Sequence, residues 1–407
     1  MAGRLSARVA LLAVWGPGLL VMLADADAGN VVTAAQSGAL WGYRLLPLPL
    51  LLIPALIMVQ ELAVRLGLVT GLGFGELVRQ RLGLPWACVC GAVLAIAVLG
   101  SLVTEFTGIA GVGELYGLPR AASLALASLC LLAVVLTGAY RRVERVAIAI
   151  GLFEVAFLFV AWQAHPKLAA VARDLADIPF RDGRFLFLAA ALIGATFNPW
   201  MIFYQQSAIA EKRLGVVHQA AARWDTAVGA ALTQVVTAAV LVAASATIGT
   251  TAPSAALGSV GQISEAMTPF LGASVGRLAF SAGVLGAAIV AAIVCSLALA
   301  WGLGEIAGHR RTPQRAAMRA RWFYGAYVGC VLGAAGLTWW ATDLVWLNIA
   351  AQVANAVLLP ALVGTVIVLA ATALPAPHRL RGWYLWLVSA VCGGVGLVGL
   401  AGAIGGL

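Results

Sequence analysis

The sequence predicts an all-α polytopic membrane protein, and three observations support this fold class. First, 62% of the 407 residues are hydrophobic and only 10% are charged, with a mean hydropathy of +0.99, whereas soluble domains carry about 25% charged residues. Second, the hydrophobic residues form eleven long runs. Third, two of these runs are interrupted near their centres by polar residues.

The eleven runs, numbered spans 1 to 11, are each long enough to cross a bilayer, which takes about 20 apolar residues. Backbone groups in lipid must be hydrogen-bonded within the protein, and the runs lack the alternation of barrel strands, so we expect helices. Their predicted bounds are 9–41, 46–68, 85–109, 122–139, 145–164, 185–209, 222–248, 276–303, 322–340, 345–371 and 384–405. A single transmembrane domain over residues 1–407 follows.

The net charge of +9 is explained by the orientation of the chain in the membrane. If the N-terminus is cytoplasmic, 18 of the 25 lysines and arginines fall on the inner side. Cytoplasmic loops of membrane proteins are enriched in basic residues in this way. We therefore predict a cytoplasmic N-terminus, an external C-terminus and no nucleic-acid partner.

Span 1 is interrupted by a polar segment over residues 25–30, which contains Asp25, Asp27 and Asn30. A charge at the bilayer centre costs about 2.5–3.5 kcal/mol even on a lenient insertion scale, so an intramembrane acid indicates function. Neither flank of the segment is long enough to cross the bilayer alone. Asp25 and Asp27 are therefore the first candidates for a functional site, with a surface loop between two short helices as the alternative.

Span 6 is interrupted where Asn198 precedes Pro199. Proline removes a backbone donor and clashes with the preceding turn, and the residue before it is displaced from the α region. A simple proline kink is the alternative interpretation. However, five crossings separate the two breaks, and a repeat of five crossings re-enters the membrane in the opposite sense. The pattern predicts two inverted repeats, over about 9–164 and 185–371, with an extra helix at about 384–405; matching broken helices then frame a midplane ion site.

Unwound backbone at the breaks suits a cation. Carbonyls before each break lose their helical partners, which makes Ala24 and Ala195 candidate backbone ligands. Asp27 adds a charge, and Asn30 and Asn198 add amide oxygens. Such all-oxygen sites suit Mg, Ca and Mn better than softer transition metals.

The two breaks resemble motifs of the Nramp divalent-metal transporters. Residues 27–30, Asp-Ala-Gly-Asn, are similar to the family's DPGN motif in span 1, with Ala28 in place of proline. Residues 195–200 are similar to its A-x-x-M-P-H motif in span 6. The resemblance extends over the first ten spans. It implies a LeuT-like fold, with two inverted five-helix repeats plus an eleventh helix, and transport by alternating access.

Several family positions are replaced in this chain. Asn198 stands where Nramp proteins place a metal-binding methionine, and Trp200 and Gln205 stand where they place histidines. The position of a span-3 aspartate that the family associates with proton co-transport is Leu102, although an acid persists nearby as Glu105. Without imidazoles, nothing on this path is tuned to titrate near neutral pH unless a carboxylate is strongly shifted.

This pattern of replacements resembles the Nramp-related magnesium transporters, a branch that moves Mg²⁺ and Mn²⁺ and is thought not to need a proton gradient. We therefore expect passive uptake of Mg²⁺, and of Mn²⁺, driven by the membrane potential. We also expect a monomer in the inner (plasma) membrane, no cofactor besides the transported ion, and no enzymatic activity.

Further polar residues have candidate roles beside the ion. Asp25 either holds a hydrated ion through its waters or lines the outer approach. Glu105 is either a pathway acid or a buried carboxylate satisfied by backbone groups. Gln352 matches a span-10 glutamine that in the family faces the ion during occlusion, with helix-to-helix hydrogen bonding as the alternative. Trp200 and Gln205 are assigned to the pathway.

Two charged regions have ordinary explanations. Glu61 and Arg65 are four residues apart in span 2, so we expect an ion pair along the helix. The loop between spans 5 and 6 carries charges of both signs, including Asp174 and Asp177, and is expected to be a solvated face.

Three other functions fit parts of the sequence. A proton-coupled Mn²⁺/Fe²⁺ transporter of the typical Nramp kind shares the motifs, and an amino-acid or amine symporter of LeuT-like fold would pair the span-1 acid with an ammonium group. An intramembrane aspartyl enzyme is disfavoured because Asp25 and Asp27, two residues apart, point to different sides of a helix. The sequence contains no phosphate-binding loop motif of an ATP-driven pump.

Overall fold

The computed structural model describes residues 17–137, 155–251, 256–265, 268–308 and 321–405. Parts of predicted spans 1, 4 and 5, residues 9–16 and 138–154, lie outside the described residues. Within the described ranges all regular secondary structure is helical, which confirms the predicted fold class. In this part of the chain seven helical segments are long and apolar enough to cross a bilayer, among them Gly183–Glu211 with its break at Asn198, and two pairs of helices joined at a sharper bend raise the number to as many as nine.

Eight helices precede span 6 in the described residues. In chain order these are α1 (Pro17–Asp25), α2 (Ala28–Trp41), α3 (Pro47–Thr70), α4 (Phe74–Leu82), α5 (Leu84–Leu115), α6 (Arg120–Thr137), α7 (Val155–Gln163) and α8 (Leu168–Ala176). Helices α1 and α2 form span 1, and α3, α5, α6 and α7 lie in spans 2 to 5. The short helix α4 joins spans 2 and 3, and α8 follows span 5.

The remaining spans follow the same plan. Their helices are α9 (Gly183–Thr196), α10 (Pro199–Glu211), α11 (Gln219–Thr251), α12 (Val260–Glu265), α13 (Thr268–Leu271), α14 (Ala273–Ala307), α15 (Arg321–Trp340), α16 (Leu344–Thr372) and α17 (Gly382–Gly405). Helices α9 and α10 form span 6, α11 forms span 7, and α14 to α17 form spans 8 to 11. Both predicted breaks therefore separate two helices within one span.

The packing of the bundle places both breaks at its centre. Span 7 packs along both halves of span 1, span 3 lies against spans 8 and 10, and α9 lies against spans 10 and 11. Glycine permits the closest approach: a Cβ atom at Gly194 would lie 1.8 Å from the Gln352 carbonyl oxygen. Small residues at such contacts let helices in lipid approach backbone to backbone.

Short helices lie at two opposite faces of the bundle, which we call the α4 face and the α8 face. On the α4 face, Glu305 at the end of span 8 accepts hydrogen bonds from the Ser207 hydroxyl (2.7 Å) and the Gly75 amide (3.0 Å). It thereby ties α4 to α10. On the α8 face, Arg44 forms an ion pair with Asp177 at 3.1 Å.

The prediction of a wholly solvated loop between spans 5 and 6 is wrong for Asp174. This residue is only 8% exposed, and its carboxylate accepts a hydrogen bond from the Tyr43 amide at 3.0 Å. The end of α2 turns at Gly42, where φ is +58°, so the next amide has no partner within the helix. Asp174 satisfies that amide from a distant part of the chain.

Candidate functional site

The break in span 1 is a sharp bend between two half-helices. The axes of α1 and α2 differ by 48°, and Ala26 and Asp27 lie outside both helices. Asp27 has an extended backbone (φ −80°, ψ 176°), and its carboxylate accepts a hydrogen bond from the Asn30 amide at 2.7 Å. It is therefore the N-cap of α2, a position that favours aspartate. The cap leaves its second oxygen, Oδ2, without an amide or hydroxyl donor in the described part of the chain.

The carbonyl of Ala24 loses its helical partner at this bend. In a continuous helix it would accept a hydrogen bond from the amide four residues later, that of Ala28. That amide instead donates to Glu105 Oε2 in span 3, at 3.3 Å. The Ala24 oxygen therefore stays a candidate backbone ligand, as the sequence predicted.

The break in span 6 is caused by proline and has no side-chain cap. Helix α10 begins at Pro199, and Asn198 precedes it with extended backbone angles (φ −69°, ψ 124°). Proline has no amide hydrogen, so the Ala195 carbonyl cannot form its usual helical bond. The Asn198 side chain replaces that bond, because its Nδ2 donates to the Ala195 oxygen at 3.2 Å.

The two breaks meet directly. Asn198 Nδ2 also donates to Asp25 Oδ1 at 3.1 Å, across 173 residues of sequence. Asp25 and Asp27 face different partners, as expected for residues two apart, since Asp27 bonds the start of α2. The site thus forms where the last residue of α1 touches the residue before α10.

Spans 3 and 10 surround the Asn198 amide. Its oxygen accepts hydrogen bonds from Asn355 Nδ2 at 2.7 Å and from the Ser101 hydroxyl at 3.4 Å. The indole of Trp200 donates to the same Ser101 oxygen at 3.0 Å. Asn355 Nδ2 also reaches Gln352 Oε1 at 3.0 Å. A belt of amides and hydroxyls therefore fixes the orientation of Asn198.

Gln352 lies against the first break. A Cβ atom at Gly29 would lie only 2.0 Å from Gln352 Nε2, so glycine leaves the space that this amide occupies. The Nε2 atom has no hydrogen-bond partner in the described residues, and the side chain is fully buried. Gln352 therefore brings span 10 close to the acidic segment, as predicted from the sequence. The same side chain also bonds Asn355 along its own helix.

Asn30 holds the bend together. Its Nδ2 donates to the Asp25 carbonyl at 3.1 Å, and its Oδ1 accepts a hydrogen bond from the Thr237 hydroxyl in span 7 at 2.9 Å. The amide oxygen that we expected to face an ion is therefore bonded within the protein in this conformation. The same holds for Asn198 Oδ1 and the Ala195 carbonyl.

Glu105 approaches the break from span 3. Besides its contact with the Ala28 amide, it accepts a hydrogen bond from the Thr104 hydroxyl at 3.3 Å. Its carboxyl group is thus bonded to the residue that follows Asp27 in the chain. Three carboxyl groups, those of Asp25, Asp27 and Glu105, are therefore fully buried around the two breaks, although in the described residues they do not form a three-carboxylate group that could hold a metal ion by itself.

The site is closed from both faces of the bundle. Every residue that the sequence analysis assigned to it is at most 2% exposed. Several buried polar atoms nevertheless lack amide or hydroxyl partners among the described residues: Asp25 Oδ2, Asp27 Oδ2, Gln352 Nε2, Asn355 Oδ1 and Asn348 Oδ1. Buried polar groups are rarely left without a partner, so this set indicates room for a ligand or its waters.

One predicted residue lies apart from the junction. Gln205 donates a hydrogen bond to the Thr226 hydroxyl of span 7 at 2.7 Å, about two turns past the break along α10.

The sequence analysis missed three residues that contact the junction: Ser101, Asn355 and Thr237. A local signal existed for two of them, because Ser101 and Asn355 lie four and three residues from Glu105 and Gln352 on the same helix faces.

The fold and the site define a class of protein: a membrane protein of LeuT-like fold, in which two broken helices meet at a buried polar centre. Solved structures with this fold are similar over nearly the whole chain. A manganese transporter of Eremococcus coleocola matches with a TM-score of 0.74 at 20% identity, covering 97% of this chain and 87% of that one. Mhp1, a nucleobase-cation-symport-1 family transporter, matches with a TM-score of 0.63 at 15% identity, covering 97% and 90%.

A second comparison identifies the family. The sequence model described as "Natural resistance-associated macrophage protein-like", Nramp, matches residues 18–404, and the chain belongs to this family. Among curated proteins, the divalent metal cation transporter MntH of Staphylococcus aureus is 28% identical over 214 residues. That match covers 51% of this chain and 47% of the relative, so the chain spans about half the length of the curated relatives it matches.

Proposed function

We propose that this protein is a divalent cation transporter that takes up Mg²⁺, and also Mn²⁺, by alternating access. One observation carries the proposal: three carboxyl groups, those of Asp25, Asp27 and Glu105, are fully buried at the meeting point of the breaks. No lysine or arginine in the described residues forms an ion pair with any of them. Because buried charges need a partner, a mobile cation is the natural counter-charge.

The family and the names of its relatives support a divalent metal as the substrate. The curated relative is named a divalent metal cation transporter, and a structural neighbour is named a manganese transporter. Another neighbour, MhsT, was solved with L-phenylalanine, with a TM-score of 0.64, 14% identity and 96% and 98% of the two chains covered. The fold alone therefore does not select the substrate, whereas family membership and the carboxyl cluster favour a metal over an amino acid.

The donor atoms favour a hard ion that keeps part of its water. No group of three or more histidine, cysteine or acidic residues with metal-binding geometry occurs in the described residues. The unpartnered atoms around the junction are mostly oxygens, and their neighbours are amides and hydroxyls. Mg²⁺ dehydrates reluctantly and usually keeps several waters. These protein oxygens would accept hydrogen bonds from such waters.

The membrane potential is a sufficient driving force for this uptake. A divalent ion moving toward the negative side gains about 4.6 kcal/mol per 100 mV, at about 2.3 kcal/mol per charge. Trp200 and Gln205, at the family's histidine positions, have no proton that titrates near neutral pH, and Gln205 is bonded to Thr226. We therefore propose uncoupled uptake by a monomer in the inner membrane, with the N-terminus in the cytoplasm.

Alternating access would require the covers on the two faces to open in turn. On the α4 face the cover includes the Glu305 contacts with Ser207 and Gly75, and on the α8 face it includes Asp174 on Tyr43. Both are present together in the closed conformation. Each consists of a few hydrogen bonds, which contribute about 0.5–1.5 kcal/mol apiece, so either can open without unfolding the bundle.

A second candidate function, proton-coupled transport of Mn²⁺ or Fe²⁺, is favoured by one arrangement. The carboxyl groups of Asp27 and Glu105 are both fully buried at the start of α2, bonded to the amides of Asn30 and Ala28, and two neighbouring buried carboxyl groups readily hold one proton between them. Entry of a metal ion at Asp27 would then release that proton. The uncoupled mechanism instead requires that any such proton remain on Glu105 throughout the cycle.

Uptake into proteoliposomes separates these candidates. The full-length protein and an Asp27→Ala variant are reconstituted with a pH-sensitive dye in the lumen, and Mg²⁺ and Mn²⁺ entry is followed under an inside-negative potential. We expect entry of both ions by wild type, no entry by the variant, and constant lumen pH. A pH change in step with metal entry would establish the proton-coupled alternative, and wild-type protein that moves neither ion would refute the transport proposal.

A further inference from the structure

A cavity outside the ion site opens between spans 2, 7 and 11. It has a volume of about 690 Å³, and we call it the arginine cavity. Its walls include Glu61, Arg65, Arg223, Trp224, Thr226 and Tyr384. Arg65 lies near the end of span 2, Arg223 near the start of span 7 and Tyr384 near the start of span 11. An even number of membrane crossings separates the N-terminus from each of these positions, and the same is true of α4. The cavity therefore lies at the membrane boundary on the α4 face.

The polar wall of the cavity is a cluster of one acid and two bases. The predicted pair of Glu61 and Arg65 is confirmed at 2.7 Å, and Arg223 from span 7 bonds the same carboxylate through its Nε atom at 2.8 Å. Both guanidinium groups use Nε and Nη2 on Glu61. Their Nη1 groups form no hydrogen bond with the described residues. Two strong donors therefore remain available to a ligand.

The charge of the cluster selects an anion. One carboxylate and two guanidinium groups leave a net charge of +1, with Arg223 the more open of the two bases at 44% side-chain exposure. A cation leaving the ion site would be repelled from this wall. Guanidinium groups bind the oxygens of phosphate through paired donors, so a phosphate group fits the open side of the cluster.

The surroundings of the cluster indicate a lipid as the source of that phosphate. Trp224 is 68% exposed in the first turns of span 7, and the Tyr384 ring lies 5.8 Å from the Arg65 guanidinium carbon. Exposed tryptophan and tyrosine at helix ends are typical of the headgroup level of a bilayer. The cavity volume also lies within the range of small-ligand pockets, about 300–1,000 Å³.

We propose that the arginine cavity binds the phosphate headgroup of an anionic phospholipid from the leaflet on the α4 face. The proposal depends on membrane insertion of the family fold and not on the identity of the transported ion. The Thr226 wall is bonded to Gln205 of α10, and the neighbouring Asp225 accepts a hydrogen bond from the Gly18 amide of α1 at 2.7 Å. A bound headgroup would thus stabilise the start of span 7 where it contacts both broken spans.

Lipid titration of the purified full-length protein in detergent tests the proposal without any metal present. Tm is measured with phosphatidylglycerol, with phosphatidylcholine and with inorganic phosphate, and retained lipid is counted by native mass spectrometry. We expect phosphatidylglycerol to raise Tm at the lowest concentration and to be retained, with little effect of the other two. Inorganic phosphate acting at the same concentration would overturn the lipid assignment, and equal effects of both lipids would overturn the anionic one.

Two variants that change the net charge of the arginine cavity in opposite directions make the test more specific. Arg223→Gln removes the net positive charge but leaves Glu61 paired with Arg65, and should weaken phosphatidylglycerol binding about fivefold, the contribution of one basic residue near an anionic membrane surface. Glu61→Gln raises the net charge of the cavity and should strengthen binding. Arg81→Gln, on an exposed residue of α4 at the same face, should leave it unchanged.

The opposite signs distinguish a ligand site from a structural ion cluster. If Glu61 and the arginines only hold spans 2 and 7 together, both Arg223→Gln and Glu61→Gln lower Tm, and neither changes the increment that lipid adds. That outcome would refute the proposal. Failure of metal uptake in liposomes would leave the lipid result intact, because the titration contains no metal.

Discussion

Both broken spans contain an interrupted helix, but different residues cause the two interruptions. In span 1 the helix is interrupted by acidic residues without any proline, and Asp27 caps the second half. In span 6 the interruption comes from Pro199, and the preceding Asn198 has no capping bond to α10. Its amide instead bonds backward to Ala195 and across to Asp25. The first break thus supplies charge, and the second supplies a fixed, neutral amide.

From this difference we expect the first break to be sensitive to the loss of charge and the second to changes in side-chain shape. Carboxylates at the first break are held in place by amides of Asn30 and Ala28 and by no cationic side chain in the described residues. Removing a charge there should abolish ion binding while the bend survives. Changes at the second break should alter the geometry and preference of the site while leaving its charge intact.

The largest effect is expected for Asp27→Asn. Asparagine is as good an N-cap as aspartate, so the bend should persist, while the lost charge should lower Mg²⁺ and Mn²⁺ uptake about a hundredfold, since removing one buried charged partner costs about 3 kcal/mol or more. Uptake into liposomes and Tm are measured together. The matched control is Asp182→Asn, which alters an exposed N-cap at the start of α9. Comparable loss in both variants would show that the effect is not specific to the buried charge at the first break.

The next effect is expected for Gly29→Ala. The added methyl group would lie 2.0 Å from Gln352 Nε2 and 3.0 Å from Asp27 Oδ1, so the span-10 amide must move. We expect uptake to fall roughly tenfold, in line with the cost of about 1–3 kcal/mol for overpacking a buried site. Gly325→Ala, in open space on α15, is the matched control.

A double variant checks the physical reason for that loss. Combining Gly29→Ala with Gln352→Ala removes the clash and should recover part of the uptake rate compared with Gly29→Ala alone. If the double variant is no better, the loss comes from contacts with Asp27 or Thr104 instead. In that case span 10 would not be the element that limits the size of the side chain at position 29.

A change of preference is expected for Asn198→Met. Methionine would place a soft thioether between the two breaks and remove the amide that bonds Asp25. Competition for uptake should shift from Mg²⁺ toward Mn²⁺ and Cd²⁺ by about tenfold, or 1.4 kcal/mol. Ser101→Ala, which removes one weak partner of the same amide, should not shift the order of ions. An unchanged ion order in Asn198→Met would remove Asn198 from the selectivity argument.

The smallest effect is expected for Pro199→Ala. The new amide could donate to the Ala195 carbonyl and extend α9 through the break. The Asn198 bonds to Asp25 and Asn355 oppose this change, so one hydrogen bond of about 1 kcal/mol should slow uptake about fivefold without unfolding the protein. Pro54→Ala, at a proline within α3, provides a control away from the site. Faster uptake in Pro199→Ala would contradict a role for the break in opening the site.

Several features were predictable from the sequence because their causes are local. Proline at position 199 and two acids within an apolar run interrupt a helix wherever they occur, so both breaks were found. The pair of Glu61 and Arg65 follows from helical spacing alone. Local spacing could not reveal Arg223, which joins the same carboxylate from 162 residues away, nor the burial of Asp174.

The sequence by itself determined where the helices break, which acids interrupt span 1, and the family to which the chain belongs. Only the tertiary structure decided which oxygens remain open to a ligand. Asn30 and Asn198 look alike in sequence as amide ligands, yet their oxygens are bonded to Thr237 and Asn355, 207 and 157 residues away. The physical reason is that hydrogen-bond capacity is shared among spans 1, 3, 6, 7 and 10, and no local pattern specifies which of these helices become neighbours.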